Sequence, residues 1–142
     1  MGGYGHILAL RHGRTAWNLE RRMQGRVDTT LCDEGRRRLV GLRIPDRFAH
    51  YAWVSSPLTR CVQTAAALGQ ENVRKEPRII EMDWGRWEGF SLADLRERDP
   101  GGMRINEARG LDFRPDGGES PREVAKRLGP WLDEVGSQRQ EV

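Results

Sequence analysis

Apolar positions in this chain fall in short continuous runs that alternate with helix-spaced stretches. Residues 6–10, with Ile7-Leu8-Ala9-Leu10, read as a buried strand that stops abruptly at Arg11-His12-Gly13-Arg14. Residues 33–44 carry Leu39, Val40, Leu42 and Ile44 and little that breaks a helix before Pro45. Ala52-Trp53-Val54-Ser55 predicts a second buried strand, and residues 78–82 a short third one. Between them, Ser56-Pro57 reads as N-cap and first helical residue of a helix running through Ala65-Ala66-Ala67-Leu68 to Gly69. Ser91 to Arg98 predicts a short helix stopped by Pro100-Gly101-Gly102. Residues 99–118, rich in Gly, Pro and Arg, read as a loop or lid. Ser120-Pro121-Arg122-Glu123 is a capping box, and the helix that it opens carries Val124, Leu128, Trp131, Leu132 and Val135. Pro130 inside that helix predicts a bend.

Strands alternating with helices predict an α/β domain, a three-layer α/β/α sandwich with a mostly parallel central sheet. Three strand candidates are few for such a sheet, and the alternation calls for another strand after the last helix. No internal repeat is present.

A chain of 142 residues is long enough for one domain with its own core, here residues 1–142. Charged residues make up 32% and the mean hydropathy is −0.75, so the expected location is the cytoplasm. No apolar run approaches the roughly 18 residues of a membrane span, and no signal peptide is evident. Cys32 and Cys61 stand alone without metal spacing, which predicts reduced thiols. The net charge of +3 is modest, and only Lys75 and Lys126 are lysines. Arg36-Arg37-Arg38 lies in a helical pattern and reads as a solvated face, so no nucleic acid partner is expected.

Three segments fall at the C-terminal ends of strands, where open α/β sheets place their sites. They are Arg11-His12-Gly13-Arg14, Ser55-Ser56-Pro57-Leu58-Thr59-Arg60, and Glu81 through Gly89. Arginines at Arg11 and Arg60 suit phosphoryl oxygens, which their planar forks grip in pairs. A neutral imidazole at His12 can attack phosphorus. A carboxyl at Glu81 can protonate the leaving oxygen and then activate water. No step of that scheme needs a metal, and no cofactor is expected.

The order of these segments resembles the histidine phosphatase superfamily, the phosphoglycerate mutase-like proteins. Leu10-Arg11-His12-Gly13 with Thr15 and Asn18 looks like the signature around the phosphorylated histidine. Gln24-Gly25-Arg26-Val27-Asp28, the Ser55-to-Ala65 segment, the stretch from Ile80-Glu81 to Trp87-Glu88-Gly89, and Gly117-Gly118-Glu119-Ser120 resemble its later blocks. The resemblance spans about residues 6–135. It implies a phosphohistidine nucleophile at His12, phosphoryl binding by Arg11 and Arg60, a proton donor at Glu81, and phosphate or substrate contacts from Asn18, Gln24 and Gly25. The Trp-Glu-Gly ending is more similar to the phosphatase branch than to the mutase branch.

One departure stands out. The family carries a second histidine on a later strand, usually in Ser-His-Gly, and residues 136–142 contain none. The expectation is therefore either a fragment of a longer protein or a C-terminally short member, and in this short chain activity is expected to be reduced or lost, since one preorganised donor is worth about 10²–10³ in rate. The missing strand predicts an exposed sheet edge, covered by a homodimer or by the chain's own tail. The leading function is hydrolysis of small phosphomonoesters. A non-catalytic phosphate-binding or interaction module is the alternative, and a phosphoglycerate mutase ranks below both. Arg96, Arg98, Arg104, Arg109 and Arg114 fit an anionic substrate or a solvated lid equally well.

Overall fold

The computed structural model describes residues 6–138 and 141–142. Its helices are α1 (Ala16–Leu19), α2 (Asp33–Leu39), α3 (Thr59–Ala67), α4 (Leu92–Arg98), α5 (Pro100–Glu107) and α6 (Pro121–Ser137). Two short strands, β1 (Val54–Ser55) and β2 (Arg74–Lys75), pair in parallel. The arrangement is α/β with a parallel sheet.

The strand at 6–10 is largely not realised. Its described pairing is a parallel bridge between His6 and Glu141. Val142 donates to the His6 carbonyl (3.0 Å) and accepts from the Leu8 N–H (2.8 Å), while the Glu141 carbonyl accepts from the Ala52 N–H (2.9 Å). Glu141 and Val142 thus sit between two extended segments and join them. A cleft of about 550 Å³ is lined beyond them by residues 9–12 on one side and 53–56 on the other. Ile7 and Leu10 are consequently exposed.

The strand expected at 78–82 is a 3-10 turn over Pro77–Ile79, and the strand lies earlier, at β2. Pairing runs on to the Glu76 N–H, which donates to the Ser55 carbonyl (2.8 Å). Pro77 then has no N–H to continue the ladder. The Glu76 carboxylate captures the Arg78 N–H (3.0 Å) and guanidinium (2.8 Å), which closes the turn.

The helices follow their caps. Ser91 with Asp94 and Ser120 with Glu123 form capping boxes on α4 and α6. α6 runs unbroken through Pro130. The segment 99–118 is not a plain loop, because it holds α5 and a 3-10 turn at Gly110–Asp112. Pro100 ends one helix and opens the next: at the first helical position its missing N–H costs nothing, and Asp99 caps the Gly102 N–H (2.9 Å). α2 ends at Leu39, five residues short of the expected limit. Val40 is extended, Gly41 takes φ +80°, and Val40 and Leu42 point to solvent.

The core centres on Trp131, Val135 and Val142, with Val54, Ile79 and Leu128 against it. Both histidines outside the site bind one carboxylate: His50 lies 2.6 Å and His6 3.7 Å from Glu141.

Candidate active site

Helix α3 does not begin as its sequence suggests. Its N-cap is Leu58, which offers no side-chain oxygen, so Ser56 is not the cap. Asp28 supplies what is missing. Its Oδ1 accepts from the Thr59 N–H and its Oδ2 from the Thr59 hydroxyl, both at 2.7 Å. A carboxylate suits the positive end of a helix dipole. The two Thr59 bonds, followed by the charge of Arg60, hold Asp28 below the usual carboxylate range despite some burial.

That cap sets Arg60 one position into the helix, 1% exposed. Its Nη1 donates to the Val27 carbonyl (3.0 Å) and its Nη2 to the Gly25 carbonyl (2.8 Å). Its Nε is buried without a hydrogen-bond partner in the described structure. A buried cationic donor left unpaired is costly, and an anion at that edge would satisfy it. Gly25 adopts φ +53°, and a Cβ there would overlap the Glu88 carboxylate, which accepts the Arg26 N–H (2.7 Å). The backbone that receives Arg60 therefore requires glycine.

His12 is half-buried at the end of the extended segment. Its Nδ1 lies 2.7 Å from the Gly13 carbonyl. A carbonyl can only accept, so Nδ1 carries the proton and Nε2 keeps its lone pair. Burial lowers the His12 pKa below 6.5. The Gly13 bond and the Glu81 carboxylate oppose the shift, and the charges of Arg60 and Arg11 add to it. The Gly13 N–H donates to the Thr64 hydroxyl (2.9 Å), which donates to the Arg60 carbonyl (2.7 Å). Histidine segment and arginine helix are thus pinned to each other.

His12, Arg11 and Glu81 line the cleft together, and Arg60 acts on His12 through its charge. Arg11 is exposed. The Glu81 carboxylate accepts from the Met82 N–H (2.9 Å). Asn18, Gln24 and Gly25 do not line this cleft. Asn18 completes a capping box with Thr15 on α1, its Oδ1 accepting the Thr15 N–H (3.0 Å). Gln24 Oε1 accepts the hydroxyls of Thr15 and Thr29, both at 2.6 Å. Gly25 holds Arg60. Three further residues have geometry that the sequence reading left without a role: Asp28, Thr64 and Arg127. Asp28 and Thr64 lie in segments already singled out in the sequence, Gln24 to Asp28 and Ser55 to Ala65, whereas Arg127 lies in none. No cluster of metal-ligating side chains occurs among the described residues. No described helix is long and apolar enough to cross a membrane.

Comparison with known proteins gives the family and the fold. The model of the histidine phosphatase superfamily (branch 1) matches residues 7–142. A glucosyl-3-phosphoglycerate phosphatase of Mycobacterium tuberculosis is 35% identical over 133 residues, covering 91% of this chain and 59% of that protein. Phosphoserine phosphatase 1 of Hydrogenobacter thermophilus is 33% identical, covering 91% and 63%. The solved structure of mycobacterial glucosyl-3-phosphoglycerate phosphatase with VO3 superposes with a TM-score of 0.74 at 33% identity, covering 91% of this chain and 65% of that one. The chain thus spans about three fifths of these relatives' length. It has the α/β phosphoglycerate mutase-like fold of those phosphatases, and it belongs to branch 1 of the histidine phosphatase superfamily.

Proposed function

We propose that this protein hydrolyses small-molecule phosphomonoesters through a phosphohistidine at His12. The observation that carries the reading is the bond from His12 Nδ1–H to the Gly13 carbonyl, which makes Nε2 the nitrogen with the free lone pair in the neutral ring. Burial and two neighbouring guanidinium groups keep the ring neutral, so the nucleophile is available near neutral pH. Nε2 attacks phosphorus and the ester P–O bond breaks. Glu81 passes its proton to the leaving oxygen, then as carboxylate takes a proton from the water that cleaves the P–N bond. Arg60 and Arg11 neutralise the phosphoryl oxygens, with the unpartnered Nε of Arg60 as the buried donor. Asn18 and Gln24 have their carbonyl oxygens committed to Thr15 and Thr29, so any contact with phosphate falls to their NH₂ groups. The steps use side chains alone, so the reaction is expected to persist in EDTA. Relatives that are phosphatases, one of them solved with VO3, support the substrate class.

The test is single-turnover incubation with a ³²P-labelled monoester, quenched in alkali. Acid-labile label that His12→Asn abolishes is the expected result, and absence of label on the wild type overturns the proposal. The orphaned Arg60 Nε favours one second reading, a phosphate-binding module without turnover. That reading expects phosphate to raise the melting temperature while no label is retained.

A further inference from the structure

Arg127, on α6, lies far in sequence from every segment assigned to the chemistry, yet it lines the cleft with His12 and Glu81. Its Nη1 donates to the Arg78 carbonyl (2.5 Å), and its Nη2 to the carbonyls of Ile80 (2.7 Å) and Glu81 (3.2 Å). Its Nε and Nη2 also meet the two oxygens of Glu119 at 3.0 and 3.1 Å. Glu119 extends the grip. It bonds Arg26 at 2.8 Å and accepts the Asp83 N–H at 3.1 Å, while its own N–H donates to the Asp83 carbonyl at 2.8 Å. Arg26 Nε lies 3.4 Å from the Glu81 carbonyl.

These contacts hold residues 78–83 from the side where a sheet neighbour would otherwise do so. The segment is not a strand, and Pro77 denies it a ladder on the β1 side. Its carbonyls still need donors once out of water. One guanidinium supplies three of those bonds from a single planar group, and α6 fixes that group's position.

The geometry points to Arg127 as the positioning residue for the proton donor: it fixes the backbone of Glu81 so that the carboxyl faces the leaving oxygen of a phosphomonoester on His12. This rests on the proposed role of Glu81 and adds the residue that aims it. Arg127 commits its Nε, its Nη2 and one Nη1 bond to carbonyls and to Glu119, so it acts through Glu81 and not on the phosphoryl group.

Leaving-group dependence separates this role from a general loss of structure. An aryl ester such as 2,4-dinitrophenyl phosphate departs without protonation, whereas an alkyl phosphate needs the proton. General acid catalysis is worth about 10²–10⁴ in rate, so Arg127→Lys is expected to slow single-turnover phosphorylation by an alkyl phosphate about tenfold or more. The aryl ester should change less than about threefold by the same argument. Glu81→Gln should show the same selectivity, and the double variant should be no slower on the alkyl ester than Glu81→Gln alone. Equal slowing on both esters, or additive losses in the double variant, overturns the inference. Glu81→Gln without selectivity overturns the role of Glu81 and the inference with it. Amide hydrogen exchange gives a second readout that needs no turnover. Arg127→Lys should speed exchange at Ile80–Asp83 while α3 and the Gly13 amide keep their protection. Unchanged exchange there overturns the positioning role even where the phosphatase reading stands. Should wild type accept no phosphoryl group, the proposed function falls, and exchange alone decides whether Arg127 holds the segment.

Discussion

The Gly13 N–H donates to the hydroxyl of Thr64, a residue 51 positions later, at 2.9 Å. Thr64 is buried, and its own hydroxyl donates to the Arg60 carbonyl. Thr64→Val keeps the volume but removes both bonds. It leaves the Gly13 N–H without its acceptor, a cost of about 1–3 kcal/mol. The expected outcome is a lower melting temperature together with slower phosphorylation of His12. Thr64→Ser keeps the hydroxyl and should recover most of both. Loss of stability without loss of phosphorylation would show that the bond serves the fold alone.

Gly25→Ala tests the receptor for Arg60. The added methyl must sit at φ +53° and displace the Glu88 carboxylate, which holds the Arg26 N–H. A non-glycine residue in that conformation costs about 1–2 kcal/mol before any clash. Because the Gly25 carbonyl holds Arg60 Nη2, binding of inorganic phosphate should weaken as stability falls. Calorimetry with phosphate and a thermal melt read the two effects separately.

The shift of His12 has a definite sign. Its pKa lies below 6.5, so the folded protein binds fewer protons there than the unfolded chain in the interval just under 6.5. The His12 contribution to stability is therefore fully present above 6.5 and is lost as pH falls through the folded value. The neutral imidazole that the proposed mechanism needs likewise survives to lower pH than an ordinary histidine. The acid limb of the phosphorylation rate should fall below 6.5. Arg11→Ala removes one of the cationic neighbours and should move that limb upward. A limb that stays in place would remove Arg11 from the electrostatics of the site.

Local rules made part of this molecule readable. The capping box at Ser120 was legible because cap and partner lie three residues apart, and the helix opened at Ser91 was legible too, where the structure adds a box with Asp94. The candidate site was legible as residue types, with Arg11, His12, Arg60 and Glu81 each at a predicted strand or helix end, and the structure brings Arg11, His12 and Glu81 to one cleft. What failed was whatever a distant segment decides. Ser56 looked like a cap, but the N-cap is Leu58 and the capping carboxylate comes from Asp28, 31 residues before Thr59. Residues 78–82 carried strand-like residues, but Pro77 and the Glu76 carboxylate turned them, and Arg127 took their carbonyls from 46 to 49 residues away. Apolar character at 6–10 predicted a buried strand, but its described pairing stops at Glu141 and Val142, and Ile7 and Leu10 are exposed. Val40 and Leu42 fit a helical face, yet Gly41 at φ +80° follows the helix end and leaves both in solvent.

Asp28 gives the last prediction. It bonds the first residue of α3 twice and flanks Val27, whose carbonyl receives Arg60. Losing a helix cap of this kind costs about 0.5–2 kcal/mol. Asp28→Asn keeps an acceptor for the Thr59 N–H but loses the charge and the second strong acceptor. Phosphate affinity should drop with stability, because the loop that cradles Arg60 and the helix that carries it are joined at this point. Ser91→Ala is the comparison: it removes a similar cap on α4 and should lower stability without changing phosphate affinity. The bonds to Thr59 hold the Asp28 pKa below 3.8, so its stabilisation is present above that pH and is lost as the carboxylate protonates below it. The melting-temperature gap between wild type and Asp28→Asn should therefore narrow as pH falls below 3.8. If the gap holds constant across that range, the charge of Asp28 contributes nothing, and the neutral hydrogen bonds alone secure the start of α3.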